Sequence, residues 1–353
     1  MVIGIHMTQT NKYWQMVTVY SATHFLVDFA CAFLMFRYIM GTPNVYLCVL
    51  LYNFCAFAME MPLGVIADKW NRNFLFAIIG CILVGSAFGL SSLSVISVLV
   101  IGIGNAMFHL GGGIDVLNIS GKKLGALGVF VSPGAFGVYL GTMLGKGDSL
   151  PAIVFPLALL AAAGLIFAIH KAQKGTYPGN AVFSLEGVGA RRIIAAIACL
   201  FLVVCLRSYV GLALDFPWKS AGYWGLALIC AVVLGKTIGG FAADRFGPGK
   251  ATILSLGIAA FLFLFPLVPP AGVAAVLLFN MTMPITLWAM AKILPGAKGL
   301  AFGLLTFGLF LGFLPIYLGY SGVETLSGMS WLFAALAAGS LVLLLAGLRR
   351  MKL

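Results

Sequence analysis

The chain has 353 residues, of which 62% are apolar and only 8% charged, and its mean hydropathy is +1.10. A soluble domain is usually about one-quarter charged, so composition excludes an ordinary water-soluble fold and makes lipid the expected solvent. The net charge of +12 would suit a nucleic-acid binder, but the placement of the charges along the chain excludes that partner.

Crossing the hydrocarbon takes roughly 20 mainly apolar residues per helix. Twelve stretches qualify, at about 13–36, 45–66, 74–91, 95–117, 124–145, 151–170, 193–214, 221–242, 251–268, 272–291, 299–319 and 329–348. They lack the period-2 alternation of barrel strands, so helices are expected. The first begins near Tyr13 and is too long for a cleavable signal. Most connections are short, so neighbouring helices should run antiparallel. The longest polar stretch, 171–192, is the expected linker between an N-terminal six-helix bundle (1–170) and a C-terminal one (193–353). The expected fold class is an all-α integral membrane protein of twelve transmembrane helices in two six-helix parallel pseudo-repeats, complete as a monomer.

With the N-terminus inside, the even-numbered connections and both tails hold 16 of the 21 Lys and Arg residues, among them Lys122, Lys123, Lys171, Lys174, Arg191, Arg192, Arg349, Arg350 and Lys352. The opposite face holds Arg37, Lys146 and Lys219, while Arg207 and Lys236 fall within helices. This positive-inside pattern places both termini in the cytoplasm of a cell inner (plasma) membrane. The basic balance reports topology, and the expected partners are the lipid bilayer and a small molecule, with no nucleic acid.

In chain order, His24 and Asp28 come first, spaced i,i+4 on one face of the first helix. An ionisable residue near the bilayer centre costs at least about 2.5–3.5 kcal/mol on insertion scales, so it should face the bundle interior or water. An imidazole beside a carboxylate can exchange protons near neutral pH; the alternative is a structural His–Asp bond. Glu60 follows in the second helix, eight residues before an acidic turn, Gly64-Val65-Ile66-Ala67-Asp68-Lys69-Trp70-Asn71-Arg72. On the fourth helix Asn105 and His109 repeat the i,i+4 spacing, and Gly111 to Gly113 would either loosen that helix or pack it closely. Asp115, Asp148, Asp215 and Glu324 lie near span ends and are expected to be solvated. In helix five, Gly128 through Gly137 surround Pro133 and suit a kink. Arg207 on the seventh helix offers a permanently charged fork matched to carboxylate, phosphate or phosphonate; snorkelling to the interface is the rival. Lys236 stands eight residues before a second acidic turn, Gly240-Phe241-Ala242-Ala243-Asp244-Arg245-Phe246-Gly247-Pro248. Asn280 lies on the tenth helix.

The two acidic turns are 176 residues apart, and Glu60 and Lys236 keep the same offset. Asn105 with Asn280, Gly128 with Gly303, and Gly137 with Gly312 lie about 175 apart. Such duplication is frequent among transporters. Each Asp is expected to accept hydrogen bonds from the N-terminus of another helix, a contact that can latch one of two states. Glu60, Asp68, Arg72, Lys236, Asp244 and Arg245 are therefore the expected conformational gate. The seven cysteines fall inside spans with no CxxC or Cys/His cluster. The four histidines are scattered, so no catalytic residue, metal or cofactor is expected, and the chain is not read as an enzyme.

These turns resemble the cytoplasmic loop signature of the major facilitator superfamily. The first has Asn71 where Gly is usual, and Asn tolerates a left-handed backbone; the second keeps Gly247 but has Pro248 and Gly249 in place of basic residues. Ser21-Ala22-Thr23-His24-Phe25-Leu26-Val27-Asp28, Gly102-Ile103-Gly104-Asn105-Ala106-Met107-Phe108-His109 with Ser120-Gly121, and Ile293-Leu294-Pro295-Gly296 resemble fosmidomycin-resistance efflux proteins. That family usually follows Phe-His with Pro-Glu, whereas Leu110-Gly111 follows here. The superfamily resemblance implies that helices one, four, seven and ten line a central cavity, bringing Asn105, His109 and Asn280 towards Asp28. The efflux resemblance implies alternating access with proton-coupled export of a small anionic or zwitterionic organic compound or drug. Import or facilitated uptake of a nutrient is the alternative. The substrate-binding or proton-coupling set is then His24, Asp28, Asn105, His109, Arg207 and Asn280.

Overall fold

In hydrocarbon a backbone must satisfy its own N–H and C=O groups, and long apolar segments do so as helices. The computed structural model describes residues 2–121, 123–147, 150–173, 180, 189–319 and 329–351, with side chains from 12 onward except at 190. Every regular element among them is helical. In chain order they form α1 (Lys12–Ile39), α2 (Val45–Trp70), α3 (Asn73–Leu90), α4 (Ser94–Ser120), α5 (Gly125–Gly145), α6 (Val154–Ala172), α7 (Arg191–Ala213), α8 (Trp224–Phe246), α9 (Pro248–Leu262), α10 (Pro269–Ile293), α11 (Lys298–Tyr317) and α12 (Ser330–Arg350). All but α9 are long and apolar enough to cross a membrane. The helix α9 has 15 residues, because the chain turns ahead of Pro266 where the expected ninth stretch would have continued. Lys122, Asp148, Lys174, Glu324, Lys352, the side chain of His6 and most of the 171–192 linker lie outside the described residues.

The chain divides into two compact units. The first comprises Met1–Lys122, Val129–Val182 and Gly296–Gly303; the second comprises Lys123–Gly128, Phe183–Pro295 and Leu304–Leu353. Each unit thus contains a short piece from the other half of the sequence.

Glycine sets how closely helices approach within each unit. In the first, a Cβ at Gly137 or Gly141 of α5 would strike the α1 backbone at Phe25 or Phe29. A Cβ at Gly111 of α4 would strike the α3 backbone at Asn73 and Ala77. Gly111 to Gly113 therefore pack closely, the second of the two expected alternatives, and all three are buried inside an unbroken helix. In the second unit, Gly235 and Gly239 of α8 face the α10 carbonyls of Leu277 and Met281. Without a hydrophobic driving force between helices in lipid, such backbone proximity is a main source of cohesion.

The duplication is visible in these contacts. Gly303 faces the Glu60 carbonyl in the first unit, and Gly128 faces the Lys236 carbonyl in the second. Gly137 faces the Phe25 carbonyl of α1, and Gly312 faces the Cys205 carbonyl of α7. Residues paired by sequence offset occupy matching packing positions.

Candidate functional site

One helical turn separates His24 from Asp28, so both project from the same side of α1. The i,i+4 pair of α4, Asn105 and His109, meets them. Asp28 Oδ2 lies 3.2 Å from His24 Nε2, and its Oδ1 lies 3.4 Å from His109 Nε2. Asn105 Nδ2 donates to Asp28 Oδ1 at 3.1 Å. Glu60 of α2 extends the set, its Oε1 lying 3.4 Å from His109 Nδ1. The side chain of Glu60 is fully enclosed, and those of His24, His109 and Asp28 are 9%, 10% and 14% exposed. Glu60 follows directly on a π-helical turn, Phe54–Ala58, a local change of helical phase often found at functional sites.

The protonation logic of this chain is constrained by geometry. His24 Nδ1 lies 2.7 Å from the Phe130 carbonyl oxygen, which only accepts, so Nδ1 carries a hydrogen. In a neutral ring Nε2 is then bare, and it faces a carboxylate oxygen. Two lone pairs at 3.2 Å repel, so the contact is satisfied by a proton between them, as imidazolium–carboxylate or imidazole–carboxylic acid. His109 stands between two carboxylates, and a neutral ring donates to only one of them. With both rings neutral and both acids ionised the group holds two buried negative charges; two protons cancel them. An uncompensated buried charge is costly, so the arrangement favours the forms in which protons cancel those charges. Donor atoms of His24, Asp28 and His109 also lie within 4.8 Å of one another, a spacing that suits a metal ion. The Asn105 N–H directed at Asp28 Oδ1 competes for one of the lone pairs such an ion would use.

The backbone of α5 builds the opposite wall. Its helix breaks at Ser132, between Gly125–Val131 and Pro133–Gly145. Pro133 supplies no N–H, and beside this break the Phe130 carbonyl takes the His24 proton. A Cβ on Gly134 would overlap both Asp28 Oδ2 and His24 Nε2. Gly134→Ala is therefore expected to push the pair apart. Overpacking of this kind costs about 1–3 kcal/mol, a drop of a few degrees in Tm, and proton uptake by the purified protein should fall with it. An unchanged Tm together with unchanged uptake would show that the wall yields.

A second polar cluster in the same unit was not legible in the sequence. Tyr20 Oη donates to Asp115 Oδ2 at 2.7 Å, and Asn73 Nδ2 donates to Asp115 Oδ1 at 2.8 Å. Asp115 is thus not solvated as expected: α4 runs on to Ser120, which keeps the carboxylate inside the helix packing. Asn118 Nδ2 donates to Asn180 Oδ1 at 2.8 Å, and Lys298 Nζ donates to Asn118 Oδ1 at 2.7 Å. Tyr20 lies one turn before His24 on α1, and that continuing i,i+4 ladder was the available signal. Asp215, by contrast, is solvated as expected, its exposed carboxylate 3.5 Å from Lys219 Nζ.

Both acidic turns clasp a helix N-terminus. Asp68 accepts from the Gly299 and Leu300 N–H groups at 2.8 and 2.9 Å, at the start of α11. Asp244 accepts from the Leu124 and Gly125 N–H groups at 2.6 and 2.8 Å, at the start of α5. Asn71 closes α2 in the left-handed region at φ 51°, so the Asn-for-Gly substitution keeps the turn. Gly247 has φ 85°, a conformation that Gly adopts freely. Arg72 and Arg245 are exposed; Arg245 lies 5.7 Å from the centre of the Phe246 ring. Lys236 is half-buried.

In the second unit Arg207 is only 8% exposed, which sets aside snorkelling as the account of its position. Its Nη1 donates to Thr286 Oγ1 at 3.2 Å. Among the described residues the hydrogen bond Asn280 makes is local: its Nδ2 donates to the Val276 carbonyl of its own helix at 2.8 Å. A short amide near a free carbonyl one turn back satisfies itself locally.

No protein-family model matches the chain, and no curated protein matches it. Solved structures do. A crystal structure of a single-site variant of the E. coli fucose:proton symporter FucP superposes with a TM-score of 0.68 at 14% identity, covering 97% of this chain and 100% of that one. A structure described as the major facilitator superfamily transporter FucP in the outward conformation gives 0.64 at 13% identity, with the same coverage. Likeness at that identity speaks to architecture, and the architecture is that of the major facilitator fold.

Proposed function

We propose that the protein is a secondary active transporter working by alternating access, which couples movement of a small organic solute to protons across a cell inner membrane, with both termini cytoplasmic. The buried chain His24–Asp28–His109–Glu60 carries this reading, because it holds proton-exchangeable groups in a lipid-embedded helical unit where structural need alone favours apolar packing. A carrier uses such a group by binding a proton on one side and releasing it on the other. The clasps at Asp68 and Asp244 are the elements we assign to the change of state, since each is a set of polar bonds that can form in one conformation and break in another.

Export of the solute follows from the resemblance of the first and fourth helices to efflux proteins. Import is a second reading with its own support: Leu110-Gly111 replaces the Pro-Glu usual in those proteins, and the neighbour FucP is described as a symporter. The test is reconstitution of the purified protein into liposomes enclosing a pH-sensitive dye. Adding candidate organic solutes should produce coupled solute and proton movement, in opposite directions for export and in the same direction for import. No solute movement across a broad panel of metabolites and antibiotics, and no proton movement, would sink the carrier reading.

A further inference from the structure

Among the described residues the acids and the buried cation Arg207 are separated. Six carboxylates are described, and each is committed. Asp28 and Glu60 face the histidines, Asp68 and Asp244 clasp helix N-termini, Asp115 takes Tyr20 and Asn73, and Asp215 lies beside Lys219. Arg207 has none of them. Among the described residues its one hydrogen bond goes to a neutral hydroxyl, Thr286 Oγ1, and no carboxylate lies within 4 Å. Thr286 is itself fixed, donating its own hydrogen to the Met283 carbonyl at 2.8 Å, so its oxygen is turned to receive the guanidinium.

A guanidinium does not lose its charge at any ordinary pH and carries five N–H donors. Burying it without a counter-charge costs several kcal/mol, which selection for stability alone would remove. Among the described residues one hydrogen bond, from Nη1 to Thr286, occupies the fork, which leaves its other N–H donors for a ligand oxygen. Resting on the carrier reading above, we propose that Arg207, oriented by Thr286, binds the anionic head of the transported solute, a carboxylate, phosphate or phosphonate held by the planar fork. The counter-charge that no described carboxylate supplies arrives with the cargo. A solute that neutralises Arg207 also removes a penalty that the empty carrier bears, which favours loading.

The test is thermal unfolding of the purified full chain in lipid-free detergent. Sodium methylphosphonate and sodium acetate, at ionic strength matched with sodium chloride, should raise Tm by about 2 °C or more at saturating concentration, and acetamide should not. Arg207→Gln should unfold at the same or a higher temperature than the unliganded parent and lose the anion shift. Arg207→Lys, which keeps the charge without the fork, should require at least about tenfold more methylphosphonate; it decides the matter if the Gln variant is not recovered. A lower Tm for Arg207→Gln, an anion shift that survives in it, or no shift with any anion would overturn the assignment. A shift with added phosphatidylglycerol but with neither free anion would assign the site to a lipid headgroup and overturn it equally. Failure here is separable from failure of the carrier reading: proton-coupled movement of a neutral solute would remove only the role of Arg207.

Discussion

Asp28→Asn should abolish proton-driven accumulation while leaving solute exchange across the membrane close to its original rate. The substitution keeps the size of the side chain and its contact with Asn105, so α1 and α4 should pack as before. What it removes is the charge that draws a proton into the contacts with His24 and His109. A pH difference of one unit supplies about 1.4 kcal/mol per proton, enough for roughly tenfold accumulation. In vesicles bearing such a gradient the parent should therefore reach about tenfold or more, and the variant should stop at equal concentrations. Counterflow, in which labelled solute exchanges against unlabelled solute with no gradient, should change by no more than a few-fold. Chelator treatment of the parent should leave its driven accumulation intact, as expected for a proton site. Driven accumulation surviving in Asp28→Asn would take the cluster out of coupling, and loss of exchange as well would make Asp28 a packing residue.

The partners of Asp28 differ in how readable they were. His24 and Asp28, like Asn105 and His109, are pairs within one helix, and helical periodicity alone fixes their common face. That the two faces meet depends on the close crossings of α1 with its neighbours, which the sequence marks only as abundant glycine. Glu60 was expected at a gate because it precedes Asp68 at the same offset as Lys236 precedes Asp244. The sequence does not reveal the π-helical turn Phe54–Ala58 that shifts the phase of α2, and Glu60 instead reaches His109. Asp115 escaped because its neighbourhood was read as a helix end. Asn280 shares its offset with Asn105 along the chain, and its Nδ2 donates to a carbonyl of its own helix. The acidic turns were the most legible feature. Their geometry needs only a carboxylate after a helix and a neighbouring helix start, and both copies found one.

Those two clasps are not equal, and the difference yields the second large effect. Asp68 is half-buried and Asp244 exposed, so water replaces lost hydrogen bonds more readily around Asp244. A hydrogen bond from backbone N–H to a charged acceptor contributes about 1.5–3 kcal/mol, and the helix N-terminus adds about 0.3–1 kcal/mol. Asp68→Ala removes two such bonds, and after allowance for its partial exposure about 3 kcal/mol is lost, close to a 100-fold rise in local opening. Hydrogen exchange of the Gly299 and Leu300 amides should accelerate by that order in the purified protein. Asp244→Ala should accelerate Leu124 and Gly125 by about tenfold or less, because an exposed pair is worth little beyond what water restores. Asp68→Asn, which keeps one acceptor oxygen, should fall between parent and Ala. Lys298, whose ammonium bonds to the Leu117 carbonyl and Asn118 at the same helix start, anchors the first residue of α11 independently, so the helix should loosen at its first turn and not unravel. Equal acceleration at the two clasps would mean that burial does not distinguish them, and no acceleration at Gly299 would mean that close packing against Gly64, not the carboxylate, holds that helix in place.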